Sequence, residues 1–167
     1  MLLYHGSNTS VEKPQLINQT RGLDFGKGFY LTTNEPQAVR FSQIVTQRQK
    51  SGVASVSVYE FDMETAERTL VIKRFENADS LWLSFVTDNR LKIYDGETYD
   101  IIIGAVANDI VMPALQAYWG GFLSEEAAIV TLKTSKLADQ VCLKSDKALS
   151  LLCFVKSYSV KGVIVSG

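Results

Sequence analysis

"DFGKGFYLTTN", Asp24 to Asn34, sets a Gly-Lys-Gly turn directly before Phe-Tyr-Leu. Two glycines give the chain freedom at positive φ and let another group come close to the main chain. The aromatic and β-prone residues that follow read as the first half of a strand. One reading is a tight lead into a strand whose Phe29 and Tyr30 alternate between core and surface. The other is a backbone left bare beside a ligand, with Tyr30 offering its ring for stacking. The choice between them depends on the rest of the chain.

Upstream, "LLYHGS" predicts a short strand broken by Gly6 and Ser7, and "NTSVEKPQLI" a polar loop leading to the Asp24 turn. Downstream, Tyr30 to Thr32 continue the second strand, and Asn34 caps a helix opening "EPQAVRFSQIVTQRQ", with Pro36 tolerated in its first turn. Ala38, Phe41, Ile44 and Val45 share one face of that helix, so Phe41 is expected to pack. "ASVSVYEFD" and "TLVIKRF" both alternate and predict strands. "DSLWLSFVTDNR" carries Leu81, Trp82, Phe85 and Val86 at helical spacing, and "YDIIIGAVAND" is a buried strand ending in a polar turn. Two further helical segments, "IVMPALQAYWGG" and "SEEAAIVTLK", are separated by a glycine pair. "DQVCLKSDKALSLLCFVKSYSV" predicts two strands around a helical turn at Ser145 to Leu149. Strands and helices mix without βαβ regularity, which points to α+β in a single domain over residues 1–167.

The chain has 167 residues, 46% apolar and 21% charged with only 3 Pro, which suits one compact domain with its own core. A net charge of -1 gives no electrostatic footprint for duplex nucleic acid. Cys142 and Cys153 have no paired spacing and no ligand neighbours, so both are expected as free thiols packed among apolar residues, which suits a reducing compartment. No leader pattern and no apolar run of spanning length appear, and the expectation is a cytoplasmic protein with no membrane contact.

His5 is the only histidine. A metal would have no first shell around a single His without Cys pairs, so no metal is expected. There is no G-x-S-x-G, neither cysteine sits in an electropositive setting, and "DFGKGF" is neither a P-loop nor a G-x-G-x-x-G fingerprint. What "YHGS" does offer is an imidazole, a glycine main chain open to close approach and a serine hydroxyl, all within three residues.

Together, "LYHGS" and "DFGKGFYLT" resemble the nucleotide-binding signature of the ADP-ribosyltransferase superfamily, on the branch of diphtheria toxin and the poly(ADP-ribose) polymerases. The chain also looks like a bacterial family of unknown function within that superfamily, from "YHGS" through "YDIIIGAVAND" to the late "DQ". The resemblance implies split antiparallel sheets with flanking helices and an NAD cleft between them. It also implies NAD as the substrate, with no metal. His5 would bond the adenosine-side ribose and Gly6 would hold the nicotinamide carboxamide by its N–H and C=O. Tyr30 would stack on the nicotinamide ring, and Ser7 would add a ribose contact. The glycines, Gly28 among them, would let the chain pass beneath the dinucleotide. Arg21 is a candidate for the pyrophosphate, and Gln37 and Phe41 lie near the nicotinamide edge.

The third position of the superfamily triad is normally a Glu, and Gln140 in "LADQVCL" aligns with it. An amide orients a hydroxyl but cannot act as a base or oppose positive charge as a carboxylate does. This departure points to single-unit transfer rather than chain elongation. Asp139 and Asp146 are nearby carboxylates whose default roles are strand end and helix cap. Asn108 and Asp109 are kept as acceptor-side candidates, although capping is the default for them as it is for Asn89 and Arg90. The implied activity is mono-ADP-ribosyl transfer to a macromolecule, with protein weakly favoured over nucleic acid as acceptor. A bacterial intracellular toxin or regulator would fit this, with an antitoxin or regulatory partner. An NAD glycohydrolase and a non-catalytic NAD or ADP-ribose binding module are the alternatives.

Overall fold

The computed structural model describes residues 1–18 and 22–161. Along the chain run β1 (Leu2–Ser7), β2 (Phe29–Leu31), α1 (Glu35–Gln49), β3 (Ser55–Phe61), α2 (Met63–Thr69), β4 (Ile72–Arg74) and α3 (Ser80–Arg90). They are followed by β5 (Ile101–Ala105), α4 (Met112–Trp119), α5 (Glu125–Thr134), β6 (Asp139–Leu143), α6 (Asp146–Leu149) and β7 (Leu152–Ser159). The fold is α+β, built on two sheets of order β1-β3-β7 and β2-β6-β5-β4. All pairings are antiparallel except β4 with β5, which is parallel, so the antiparallel expectation holds for most of the architecture and not all of it.

Among the described residues, the main chains of the two sheets are joined by one isolated bridge. Tyr4 N–H donates to Thr32 O at 2.9 Å and Thr32 N–H to Tyr4 O at 3.0 Å. Beyond it β1 and β2 part. Leu3, Tyr59 and Phe61 from the first sheet share a core with Phe29, Leu31, Ile101, Val141 and Leu143 from the second. Ile102 and Cys142, the alternate residues of β5 and β6, enter a second core with Trp82, Leu83, Val86, Leu115 and Leu132 of α3, α4 and α5. The second sheet is thus buried on both faces, which is why "YDIIIGAVAND" reads as a continuous apolar run. A third, smaller core sets Ala38 of α1 against Val56 and Val58 of β3.

The helix ends follow local chemistry. Asn34 Oδ1 accepts from Gln37 N at 3.0 Å to cap α1, and Asp79 Oδ1 accepts from Leu81 N at 3.0 Å and Trp82 N at 3.1 Å to cap α3. Three expectations need correction. "TLVIKRF" is not one strand: Asp62 caps Thr65 N at 3.0 Å, "METAERT" forms α2, and only Ile72–Arg74 pair. Phe41 does not pack, because α1 buries Ala38 and Ser42 and leaves Phe41 40% exposed. Of the free cysteines, Cys142 is buried but Cys153 is exposed, since β7 is the edge of its sheet and its residues alternate toward solvent. Among the described residues, no helix is long and apolar enough to cross a membrane and no acidic, His or Cys group is arranged to hold a metal.

Gly28 marks how closely β2 and β6 approach, because a Cβ there would lie 2.3 Å from Cys142 Sγ and 2.9 Å from Leu143 O. Gly28→Ala is expected to cost about 1–3 kcal/mol of stability, as overpacking does. Urea titration of both proteins measures this, and a loss within error of zero would show that the strands separate without penalty.

Candidate functional site

The Asp24–Gly28 turn is folded onto the second sheet and fastened on every side. Gly26 has φ +72°, a region that glycine adopts without strain, and a Cβ there would meet Asn89 Oδ1 at 2.7 Å. Phe25 is fully buried, with its ring 6.1 Å from that of Phe75 and 6.0 Å from that of Phe85. Lys144 Nζ donates to Phe25 O at 2.5 Å and to Lys27 O at 2.7 Å, and burial lowers its pKa. Tyr30 Oη donates to Gly26 O at 2.6 Å and accepts from Phe25 N at 3.1 Å. Burial raises the Tyr30 pKa well above the usual phenol value, with the neighbouring Cys142 and Asp24 adding to the effect.

Asp24 anchors the start of the turn. Its Oδ1 accepts from Arg90 Nε at 2.7 Å and pairs with Arg90 Nη2 at 2.6 Å. Its Oδ2 accepts from Ala107 N at 2.9 Å and from Gln140 Nε2 at 2.9 Å. The carboxylate is thus surrounded by donors from α3, the β5–α4 connection and β6. The opening stretch needs its glycines for this close packing. The room a side chain would take at Gly28 is filled by Cys142 and Leu143, so close packing by itself requires a glycine there.

His5 lies where β1 and β2 separate. Its Nδ1 is 2.7 Å from Tyr30 O, a carbonyl that only accepts, so Nδ1 carries the proton and the neutral ring keeps Nε2 as an acceptor. Burial pushes its pKa below 6.5, partly opposed by the bond to Tyr30. The imidazole stacks on Phe29 at 4.4 Å between ring centroids.

Gly6 has a separate geometric role. Tyr4 turns its N–H and C=O toward Thr32, so His5 faces its partner Ser57 in β3, and Gly6, one residue further, turns both main-chain groups back to the β2 edge. By then the bridge has ended, and no hydrogen bond from the described residues reaches either group. A side chain at Gly6 is excluded, since a Cβ would sit 2.1 Å from Ala38 O of α1. The result is one donor and one acceptor on a buried glycine, directed at the split between the sheets, next in the chain to His5.

The other candidates divide around this point. Ser7, the last residue of β1, is only 3.4 Å from Asn8 Oδ1, a long contact. Phe29 and Tyr30 alternate, so the imidazole lies on one side of β2 and the Tyr30 ring on the other, opposite Cys142. Burial pushes the Cys142 thiol up to about 12, which leaves it neutral and unreactive. Gln140, two residues earlier on β6, shares that face with the Tyr30 ring. Gln37 and Phe41 lie four residues apart on the flank of α1 next to the Ala38–Ser42 face that covers Gly6. The other flank borders an open hollow of about 440 Å³ lined by Glu35, Pro36, Val39, Arg40, Gln43 and Tyr158, away from His5 and Tyr30.

Asp139 ties the start of β6 to the β2–α1 connection through Thr33 Oγ1 at 2.8 Å and Thr32 Oγ1 at 3.1 Å. Asp146 is exposed in the first turn of α6, where Ser145 is the cap. Asn108 Oδ1 accepts from Ile110 N at 3.0 Å, Asp109 is exposed, and Asn89 Nδ2 donates to Phe85 O at 2.9 Å. Arg21 lies outside the described residues. Asp24 and Lys144 were not expected from the sequence. An aspartate ahead of a glycine turn hints at an anchor, but nothing local links it to Arg90, 66 residues away.

A family model described as "Protein of unknown function (DUF3990)" matches residues 1–154, which include His5, Gly6, Tyr30 and Gln140. The chain belongs to the DUF3990 family. No curated protein and no solved structure matches it.

For this DUF3990 chain the geometry sets two expectations. A His whose folded pKa lies below 6.5 stabilises the fold fully above that pH, and the contribution is lost as pH falls below it, because the unfolded chain takes up the proton first. Wild type should therefore lose stability relative to His5→Asn between pH 7.5 and 5; parallel curves would show His5 protonates freely in the fold. Tyr30→Phe removes two hydrogen bonds from the turn and is expected to cost about 1–2 kcal/mol in chemical denaturation, whereas a bare stacking platform would lose nothing measurable.

Proposed function

We propose that this protein is an NAD-dependent mono-ADP-ribosyltransferase acting on a macromolecular acceptor. The observation that carries the reading is the Gly6 main chain, whose N–H and C=O both face the split between the sheets. A primary carboxamide such as that of nicotinamide has the complementary acceptor and donor. His5 Nε2, fixed as an acceptor by the bond from Nδ1 to Tyr30 O, suits a ribose hydroxyl.

In the reaction the N-glycosidic bond breaks with its electron pair leaving on nicotinamide, and the acceptor's nucleophilic atom bonds to the ribose carbon and loses its proton. The gain comes from holding the leaving group more tightly as it departs than before. Gly6 does this with fixed main-chain groups that need no reorganisation. Tyr30, braced through its hydroxyl, offers a ring on the face of β2 that Gln140 shares, so these two would meet the dinucleotide from the side of β2 opposite the His5 imidazole. Gln140 orients the ribose without acting as a base, which favours transfer of one unit to an acceptor that supplies its own nucleophile.

A non-catalytic NAD or ADP-ribose binding module is the second reading. It is favoured by one observation: the Gln140 amide donates both to Asp24 and to Ala105 O, and no carboxylate replaces it on β6 at that position. Isotope-labelled NAD, incubated with the protein with and without cell lysate, separates the readings. Label on macromolecules is expected. Free nicotinamide without label transfer would indicate a glycohydrolase, and binding without either product would indicate a binding module. Tyr30→Ala is expected to weaken NAD binding by about 1–3 kcal/mol, taking base–aromatic stacking as a guide. Unchanged affinity in a calorimetric titration would remove Tyr30 from the site.

A further inference from the structure

Gln140 stands where the resemblance implies a glutamate, and its surroundings account for the amide. Its Nε2 donates to Asp24 Oδ2 at 2.9 Å and to Ala105 O at 3.2 Å. A carboxylate and a carbonyl only accept, so the group facing them is the NH2, and the carbonyl oxygen is the branch turned away. A glutamate at this position would bring a second carboxylate to hydrogen-bonding distance of Asp24 with no donor between them. Asp24 cannot move aside. It is 4% exposed, and Arg90 and Ala107 N hold its two oxygens.

We propose that Asp24 is a positioning residue for the third site position: it fixes the Gln140 amide with Oε1 outward, so that a neutral side chain offers the ribose the acceptor a glutamate would offer. This rests on the functional reading above, in which Gln140 meets the nicotinamide ribose. The amide at 140 is matched to the carboxylate at 24, and the two can exchange places only together. In Gln140→Glu, two buried carboxylates lie side by side and the folded protein retains a proton between them. In the double variant Asp24→Asn/Gln140→Glu, amide and carboxylate trade positions and the hydrogen bond between the two side chains returns with Arg90 still facing an oxygen. The new amide nitrogen, however, meets Ala107 N–H and the new carboxylate meets Ala105 O, so the two main-chain contacts of the pair are not restored.

The titratable and charged groups around the pair are Arg90 from α3, Tyr30 from β2, Cys142 from β6 and Lys144 just after β6. Burial moves Tyr30 and Cys142 up and away from neutral pH. A guanidinium keeps its charge there. Lys144 is common to all the variants and drops out of the comparison.

The test compares wild type, Gln140→Glu and the double variant by thermal melting at pH 5.5 and pH 8 and by calorimetric titration with NAD. A carboxyl whose folded pKa is raised contributes stability at low pH and loses it as pH rises through that value. Gln140→Glu should therefore melt about 10 °C below wild type at pH 8 and closer to it at pH 5.5. The double variant should recover part of the loss, the contacts to Ala107 N–H and Ala105 O remaining unmet, and its extra pH dependence should vanish. NAD affinity should fall about tenfold in Gln140→Glu at pH 8 and return to within about threefold of wild type in the double variant, the scale of one charged hydrogen bond. A Gln140→Glu protein that melts like wild type at both pH values overturns the pairing. Recovered melting with NAD affinity unchanged across the set makes the pair purely structural and overturns the positioning role. Wild type that does not bind NAD, with the melting pattern intact, overturns the functional reading and the ligand role of Asp24 with it, while the pairing stands.

Discussion

The Asp24 carboxylate is buried in a layer that would reject an isolated charge, and the arrangement of the second half of the molecule follows from how that charge is met. Its donors come from the end of α3, from the connection after β5 and from β6. Bringing them to one point fixes the helical layer against the second sheet and holds the turn that precedes β2. Leaving such a charge without its guanidinium costs about 3–5 kcal/mol, so the three segments are coupled far more strongly than a surface ion pair would couple them. The exposed pair Arg68–Glu64, four residues apart on α2, has no comparable role.

From that anchor the consequences run along the chain toward the split between the sheets. With Asp24 fixed, Lys144 and the Tyr30 hydroxyl close the turn, and Gly26 and Gly28 supply the conformation and clearance it requires. Closing the turn fixes the Tyr30 carbonyl, and that carbonyl sets the tautomer of His5. The turn that starts at the buried charge is thus linked through Tyr30 to the imidazole nitrogen that can accept a hydrogen bond. The groups concerned are held in place by packing alone, so their dipoles are fixed by the fold itself.

The edge of β1 gives the site its shape. Most sheet edges are paired, covered or charged, because unpaired main-chain groups attract other strands. Here one bridge, Tyr4 with Thr32, pairs the edge for a single step, and α1 then crosses so close to Gly6 that no side chain fits. The glycine is explained by packing and the open main-chain groups by the parting of the strands, and both causes act on the same residue.

How much of this was legible beforehand depended on how local each cause was. Asn34 and Asp79 announce α1 and α3 because a cap acts over three residues, and "YDIIIGAVAND" announces a strand buried on both faces because it is apolar throughout. "YHGS" and "DFGKGFYLT" identified His5, Gly6 and Tyr30 as the residues to watch. The sequence was silent where the cause lay at a distance. α2 was hidden because "METAERT" and "TLVIKRF" overlap and only the Asp62 cap settles where the helix begins. Phe41 was expected inside because its spacing suits a buried stripe, yet the contact with Gly6 turned α1 onto Ala38 and Ser42. The pairing of Asp24 with Arg90 and Gln140 joins residues 66 and 116 positions apart, and no local pattern encodes it. By itself, the sequence determined the helix caps, the buried strand and the residue types at the split between the sheets. Only the tertiary structure decided which faces those residues present and which groups they have left to offer, because both depend on close approach between segments far apart in the chain.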